Sequence, residues 1–246
     1  MANKKLQSAL IFVKLAIGIT VAITSLIIYP ILAQTRPSVL VARKLPPVVT
    51  TPPPPPNGDR IPRTDLGGSS SACKATDKKL TALVPIESER GATRSQSPTL
   101  WFYIPDAAQD IASVELKINS RDEKNRLYQA SIIQLPATPG VIGIRLPESL
   151  QSKLKEGEYY RWYFRLNCAA NSNSEDNPVV NGWVRRVPAN DTATTDIWYD
   201  MLTDLANRRL AAPQNEKLKQ EWRDLLKSVG LEQLASEGLG GSVSLP

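Results

Sequence analysis

Histidine is absent from all 246 residues of this chain, and cysteine occurs only twice. Without an imidazole, the chain cannot form a Ser-His-Asp or Cys-His catalytic system, or a zinc site with histidine ligands. Two thiolates are also too few for a four-cysteine zinc site or an iron–sulfur cluster. An enzyme built from this sequence would depend on paired carboxylates or on a serine–lysine arrangement, and we expect no metal or cofactor.

Nucleotide-binding motifs and a strong positive charge are also missing. The sequence contains no GxxxxGK phosphate loop, GxGxxG fingerprint, HExxH motif or EF-hand pattern. The formal net charge is +6, but residues 1–33 contribute three lysines and no acidic residue, so the remaining chain has 27 basic and 24 acidic side chains. That excess of three, without long basic runs, is too small for a nucleic-acid-binding surface. We therefore expect no nucleic-acid partner.

The first 33 residues have the organisation of a secretory signal. Lys4, Lys5 and Lys14 precede a mainly apolar run over residues 15–32, and the small residue Ala33 follows it. This order predicts a signal peptide that is cleaved after Ala33. An uncleaved membrane anchor over residues 15–32 is the alternative, because the run is almost long enough to span a bilayer. Both interpretations place the following chain in the periplasm or cell envelope, and membrane contact is expected only through this segment if it stays uncleaved.

Residues 34–72 are rich in proline, glycine and serine, and include five consecutive prolines at 52–56. A proline block adopts the stiff polyproline II conformation, which rises about 3.1 Å per residue. The segment is therefore predicted to be a spacer between the signal and a folded domain. A proline-rich recognition ligand is the alternative, although the modules that bind such ligands are mainly intracellular.

From residue 73 to about residue 187, apolar and polar residues alternate as they do in short β-strands. Val114, Leu116 and Ile118, for example, alternate with Glu115 and Lys117, which predicts a strand with one buried and one wet face. Seven such segments, separated by proline or glycine, predict an antiparallel β-sandwich that is immunoglobulin-like in its general architecture.

The last part of the chain has helical periodicity. Apolar residues recur at helical spacing from Ile197 to Leu210 and again from Leu218 to Val229. We expect two C-terminal helices that pack on the sandwich and complete one globular domain over residues 73–235. Residues 236–246 are expected to be a flexible tail.

The segment from residue 159 to residue 168 separates clearly into two faces. One face, expected in the core, consists of Tyr160, Trp162, Phe164, Leu166 and Cys168. A disulfide between Cys73 and Cys168 is the only pairing that two cysteines allow within the chain, and an exported location favours it. Two buried free thiols or a redox pair are the alternatives.

The opposite face of the same segment is the best candidate for a binding surface. It consists of Tyr159, Arg161, Tyr163 and Arg165, and Arg185 on the next predicted strand extends it. Guanidinium groups beside phenols suit the recognition of carboxylates, phosphates or sugar rings. In the alternative interpretation, the C-terminal helices lie across this face and the arginines pair with acidic residues there.

Asp196, Asp200 and Asp204 form a row at helical spacing. Carboxylates one turn apart can bind a hard cation or act as an acid and a base. The simpler interpretation is a solvated helix face opposite Trp198 and Leu202, with the first carboxylate near the helix N-terminus.

A series of short elements, taken in order, resembles the cyanobacterial-type exported family called domain of unknown function 928. The elements are Gly67-Gly68 before Cys73, Leu80 to Pro85, Thr99 to Pro105, Gly157 to Cys168, Gly182-Trp183-Val184 and Ile197 to Asp200. The resemblance spans residues 67 to 231 and implies an exported domain without an assigned activity, so no catalytic residue is carried over. Family members often have an arginine between the glycine pair and the cysteine, whereas Ser69-Ser70-Ser71-Ala72 occupies that stretch here.

These features predict a non-catalytic binding or assembly module of the cell envelope, whose partner is another envelope protein or a glycan. A carboxylate-dependent glycan hydrolase is the alternative from a different class of protein, and a structural subunit of an exported complex is a third. A pocket with two acidic side chains about 5 to 9.5 Å apart would favour hydrolysis. A flat Tyr/Arg surface would favour binding.

Overall fold

The computed structural model describes residues 69–70, 72–74, 76–132, 135, 138–169, 177–191 and 197–246. The predicted signal or anchor and almost all of the predicted spacer lie outside the described residues. The described strands are β1 (Ser69–Ser70), β2 (Leu80–Ala82), β3 (Arg90–Thr93), β4 (Thr99–Ile104), β5 (Ile111–Ser120), β6 (Arg126–Ile132), β7 (Gly140–Arg145), β8 (Tyr159–Cys168), β9 (Val179–Arg186) and β10 (Leu239–Ser244). Two helices, α1 (Trp198–Ala211) and α2 (Glu216–Lys227), lie between β9 and β10 in sequence.

The strands form two sheets that pack face to face. The first sheet has the order β1-β2-β4-β7-β10 and the second the order β3-β9-β8-β5-β6. Between them, the Phe102 ring stacks on Phe164 with centroids 3.9 Å apart and meets Trp162 edge-on at 5.6 Å. The predicted sandwich is confirmed. Most neighbouring strands are antiparallel, but β10 runs parallel to β7 and β3 parallel to β9.

Helix α1 packs on the outer face of the first sheet, at β4 and β10, and also contacts β3 of the second sheet. Phe102 points towards the second sheet, so its neighbour Trp101 points the other way, and the Trp101 indole donates a hydrogen bond to the Thr203 hydroxyl of α1 at 3.0 Å. Helix α2 packs on α1, where the Arg209 guanidinium lies 5.2 Å from the centre of the Trp222 ring. The prediction of two C-terminal helices on the sandwich is confirmed. No helix in the described part of the chain has the length and apolar content needed to cross a membrane.

The first turn of α1 is hydrogen-bonded to both sheets. Trp198 donates to the carbonyl of Leu83, just after β2, at 2.8 Å. The Tyr199 hydroxyl accepts a hydrogen bond from the Trp162 indole at 3.0 Å and donates to the Trp183 carbonyl at 2.9 Å. These aromatic side chains are buried with their polar atoms paired, so they stabilise one side of the sandwich without leaving polar groups unsatisfied.

Helix α2 follows from local sequence signals. The Asn215 side chain accepts a hydrogen bond from the Leu218 N–H at 3.2 Å, which caps the helix N-terminus. Leu218, Trp222 and Leu226 recur at four-residue spacing and are all buried. The chain leaves the helix through Gly230, whose positive φ of 81° suits glycine.

The C-terminal segment differs from the prediction. Residues 239–244 form β10, which pairs with β7, and Leu245 is buried in the core. The Tyr128 hydroxyl of β6 donates to the Pro246 carbonyl at 3.0 Å. The predicted flexible tail over residues 236–246 is therefore corrected to a strand. The sequence does not indicate this strand, because the glycines and serines of the segment interrupt any apolar alternation.

The start of the domain is fixed by a covalent bond and a short strand. Cys73 and Cys168 form a disulfide with their Cα atoms 5.3 Å apart, so the predicted pairing is confirmed. Ser69–Ser70 pair with β2. The sandwich therefore begins a few residues before Cys73, inside the segment predicted to be a spacer.

Candidate functional site

The outward face of the second sheet carries the predicted binding residues. We call this surface the Tyr/Arg face; it consists of Tyr159, Arg161, Tyr163 and Arg165 of β8, Trp183 and Arg185 of β9, and Lys117 and Asn119 of β5. Their positions follow from the register, in which Arg161, Tyr163 and Arg165 each lie opposite one residue of β9 and one of β5, and Tyr159 lies opposite Arg185 of β9. The intervening residues of β8 point into the core, so these side chains point away from it.

The two helices do not cover this face. Helix α1 contacts mainly β3, β4 and β10, and α2 contacts α1. Arg161 donates to the Asn181 side chain of β9, and Arg185 donates to the Gly157 carbonyl at 3.4 Å. The structure therefore does not support the alternative interpretation for Arg161 and Arg185, since their partners belong to the same sheet and an adjoining turn.

Arg161 lies at the centre of the Tyr/Arg face and is only 3 % exposed. Its Nη2 donates to Asn181 Oδ1 at 2.5 Å, and its Cζ lies 4.8 Å from the Trp183 ring centre and 5.6 Å from that of Tyr163. Its Nε and Nη1 have no hydrogen-bond partner among the described residues. Burial of a charged group with unpaired donors lowers the stability of the folded state. Stability alone therefore does not explain this arrangement.

Three other buried polar atoms in the same row across the sheet lack a partner within the described ranges. They are Nε1 of Trp183, Oδ1 of Asn119 and Nε of Arg90. The register places Arg90 opposite Trp183, Trp183 opposite Arg161, and Arg161 opposite Asn119. The row thus contains several N–H donors and one carbonyl acceptor that are unpaired among the described residues, a set whose chemistry suits a carboxylate or phosphate.

Cations and rings alternate over the rest of the face. Lys117 Nζ lies 5.0 Å from the centre of the Tyr163 ring, and Arg185 Cζ lies 5.6 Å from that of Tyr159. Such cation–π contacts hold the charged groups against the sheet at a modest gain in free energy. Glu115 lies opposite Arg165 and Glu123 is bonded to Tyr163, but the cationic side chains outnumber these carboxylates, so the face has a net positive charge.

Tyr163 is held in its protonated form. Its hydroxyl donates a 2.5 Å hydrogen bond to the Glu123 carboxylate. Burial, followed by this hydrogen bond, raises the pKa of Tyr163 to about 12. The phenol is therefore a hydrogen-bond donor at physiological pH and does not act as a base.

A pH titration tests this environment. The pKa in the folded state exceeds the unfolded value of about 10, so the contribution of Tyr163 to stability is complete below that pH and is lost as the pH rises through about 12. Carbon-13 NMR of labelled tyrosine rings, assigned with Tyr163→Phe, should show a midpoint near 12 for this residue. Glu123→Gln should lower that midpoint. An unshifted midpoint in the native protein would contradict the assignment.

A second polar site, which we call the α1 pocket, lies between α1 and the first sheet. It is a cavity of about 340 Å³, bounded by residues 95–98, the start of β4, the end of β7, α1 and β10. Its lining consists of Ser95, Ser97, Pro98, Thr99, Arg145, Asp200, Thr203, Asp204, Asn207 and Ser242. With the exception of Pro98, all of these side chains are polar.

Two members of the predicted aspartate row, Asp200 and Asp204, line the α1 pocket, and Asp196 lies outside the described residues. Asp200 Oδ1 accepts from the Thr93 hydroxyl at 2.5 Å, and Oδ2 accepts from the Arg94 N–H at 2.7 Å. The expectation of a solvated row is therefore wrong for Asp200, whose carboxylate fixes the turn after β3. Asp204 is exposed. No group of three or more His, Cys, Asp or Glu side chains in the described ranges is arranged to hold a metal ion.

Sequence analysis missed part of both sites. Trp183, Lys117 and Asn119 belong to the Tyr/Arg face because of the register between β5, β8 and β9. Periodicity shows that each residue points outward, but it does not show which strands are neighbours. The α1 pocket combines residues that are far apart in the sequence, and no local signal indicates it.

Comparison with known proteins identifies a protein family. No curated protein and no solved structure matches the chain. A family model described as Domain of Unknown Function (DUF928) matches residues 63–239. That range includes the disulfide, both helices and the whole Tyr/Arg face. The chain therefore belongs to the DUF928 family.

Proposed function

We propose that this protein is an exported, non-catalytic binding module of the cell envelope, and that its Tyr/Arg face binds an acidic surface of another envelope protein. The observation that carries this proposal is the buried Arg161 guanidinium, stacked on Trp183, with two nitrogens that have no partner among the described residues. Nε and Nη1 lie on different edges of the guanidinium, so two acceptor oxygens of an acidic partner, one at each edge, would satisfy them.

Two features support export. Residues 1–33 have the charge and hydropathy pattern of a signal peptide or anchor. The Cys73–Cys168 disulfide is typical of proteins that mature in an oxidising compartment.

The shape and composition of the Tyr/Arg face favour a protein partner. Sites for small molecules are concave, whereas this face is the outer surface of a sheet. Tyrosine, tryptophan and arginine are the residues most enriched at the energetic centres of protein interfaces. The positive charge of Arg161, Arg185 and Lys117 selects an acidic partner and accelerates its association. A glycan partner is the other outcome that the experiment below distinguishes.

Replacement of Arg161 by methionine tests the proposal. Methionine keeps an apolar stem against Trp183 but removes the guanidinium. We expect retention of tagged, exported protein on solubilised envelope proteins to weaken by about 30-fold, since a central interface residue contributes roughly 2 kcal/mol or more. Thermal unfolding should be unchanged or shifted upward, because the substitution removes the penalty of an incompletely paired buried charge.

Arg223→Met on α2 is the matched control, since it removes the same charge from another surface. It should leave retention unchanged. Protease treatment of the extract should abolish retention, and digestion of glycans should not. Unchanged retention of a folded Arg161→Met variant, or retention that resists protease, would overturn the proposal of a protein partner at this face.

The α1 pocket bears on the alternative of a glycan hydrolase. It contains two carboxylates, but both oxygens of Asp200 accept hydrogen bonds from the turn after β3. A general acid in a glycoside hydrolase is set in an apolar environment, whereas the Asp204 side chain is 68 % exposed. We therefore do not assign hydrolysis to this pocket.

A further inference from the structure

We propose that the α1 pocket binds a single neutral sugar unit, or a polyol of similar size, through hydrogen bonds to its hydroxyl groups. This inference does not depend on the Tyr/Arg face, which is built from the other sheet.

The pocket is concave and its walls are held in place. Its volume of about 340 Å³ is at the lower end of the range for small-molecule sites, roughly 300 to 1,000 Å³. Thr203 is positioned by the Trp101 indole and Asp200 by the Thr93 hydroxyl. The site therefore exists before a ligand arrives, which reduces the entropy lost on binding.

A glycine lies between two of the residues that line the pocket. A Cβ atom at Gly143 of β7 would lie 2.8 Å from both the Thr99 Cγ2 and the Ser242 Cβ atoms. Both of those residues line the pocket. Glycine at this position lets the side chains of β4 and β10 approach each other across β7.

Several side chains at the pocket have hydrogen-bonding capacity that the protein does not use. Arg145, Asn207 and Ser242 make no side-chain hydrogen bond or ion pair with the described residues, and Arg145 and Asn207 are exposed. Together they supply guanidinium and amide donors, an amide acceptor and a hydroxyl that does both. The exposed Asp204 carboxylate accepts from Arg208 through Oδ2 at 3.4 Å, and its Oδ1 adds an acceptor.

This mixture of donors and acceptors identifies the class of ligand. An anion would meet the carboxylates of Asp200 and Asp204, and a cation would meet the guanidinium of Arg145. An apolar ligand would leave the hydrogen-bonding groups of the lining side chains unpaired, since every lining residue except Pro98 has a polar side chain. A neutral molecule with several adjacent hydroxyls, each able to donate and accept, matches all of these groups.

Titration of the isotopically labelled protein with glucose, mannose and N-acetylglucosamine, followed by amide NMR shifts, tests the inference. We expect saturable shifts at Thr99, Thr203 and Asn207 with a dissociation constant in roughly the millimolar range, as the small size of one sugar implies. Arg145→Ala and Asn207→Ala should each weaken binding by about tenfold, the typical effect of losing a hydrogen bond. Neither substitution removes a contact that the fold needs.

Two control variants separate this site from the Tyr/Arg face. Arg126→Ala removes an exposed arginine of the second sheet, and Arg161→Met removes the centre of the Tyr/Arg face. Both should bind the sugar as the native protein does. The inference would be overturned by the absence of saturable shifts with all three sugars, by tighter binding of glucuronate than of glucose, or by unchanged binding in the Arg145→Ala, Asn207→Ala double variant. Cleavage of an oligosaccharide at this pocket would also overturn it, in favour of catalysis.

Discussion

Removal of the Cys73–Cys168 disulfide is expected to lower the free energy of unfolding by roughly 4 to 5 kcal/mol. The two cysteines are 95 residues apart, and a cross-link over a loop of that length restricts the unfolded chain strongly. A typical domain is stable by only about 5 to 15 kcal/mol, so the bond accounts for a large part of the total. Urea unfolding of the native protein and of the Cys73→Ala, Cys168→Ala double variant measures the difference.

Reduction of the native protein with dithiothreitol is the control, because it should reproduce the urea midpoint of the double variant. A difference below about 1 kcal/mol would contradict the expected stabilisation.

The same pair of cysteines reports on export. Alkylation of intact cells before lysis should leave both cysteines unmodified, whereas labelled thiols would contradict both a disulfide in the cell and an oxidising compartment.

Replacement of Gly182 by alanine is expected to destabilise the domain by about 3 kcal/mol or more, the upper end of the usual cost of overpacking. A Cβ atom at this position of β9 would overlap Cζ2 of the Trp162 ring and lie 2.9 Å from its Cε2. The indole cannot move away easily, because it is 1 % exposed and its N–H is bonded to the Tyr199 hydroxyl. Thermal or urea unfolding measures the effect.

Gly238→Ala is the matched control, since a Cβ atom there meets nothing within 4 Å. It should change the free energy of unfolding by less than about 0.5 kcal/mol. A second substitution, Trp162→Phe, should recover part of the loss in the Gly182→Ala background by removing the overlapping atoms. An unchanged free energy of unfolding in Gly182→Ala would contradict this close packing of β9 against Trp162 of β8.

Arg161 differs from the buried core residues in how well its polar atoms are paired. Phe102, Phe164 and Trp162 are buried and packed against one another, as expected for residues that maintain the fold. Arg161 is equally buried but has donors without partners among the described residues. Functional sites often retain such unfavourable arrangements, because the bound partner supplies the hydrogen bonds that the free protein lacks.

Much of the fold was predictable because its signals are local. The alternation along β5 and β8 assigns each side chain to a buried or an outward face without knowledge of the neighbouring strands. Apolar spacing predicted both helices, and the count of two cysteines left one possible intrachain disulfide. The strand β10 escaped prediction because its glycines and serines carry no alternating pattern.

The sequence alone determines which residues of β8 point inward and which point outward. It also leaves Cys73 and Cys168 as the only possible intrachain pair and excludes histidine-dependent chemistry. Each depends on side-chain direction within one segment or on residue identity. Tertiary structure alone decided that α1 packs on β3, β4 and β10 with α2 against it, that Trp183 and Asn119 join Arg161, and that α1 with β4, β7 and β10 forms a pocket. These arrangements depend on contacts between residues far apart in the chain, and the periodicity of a single segment does not show which other segments lie beside it.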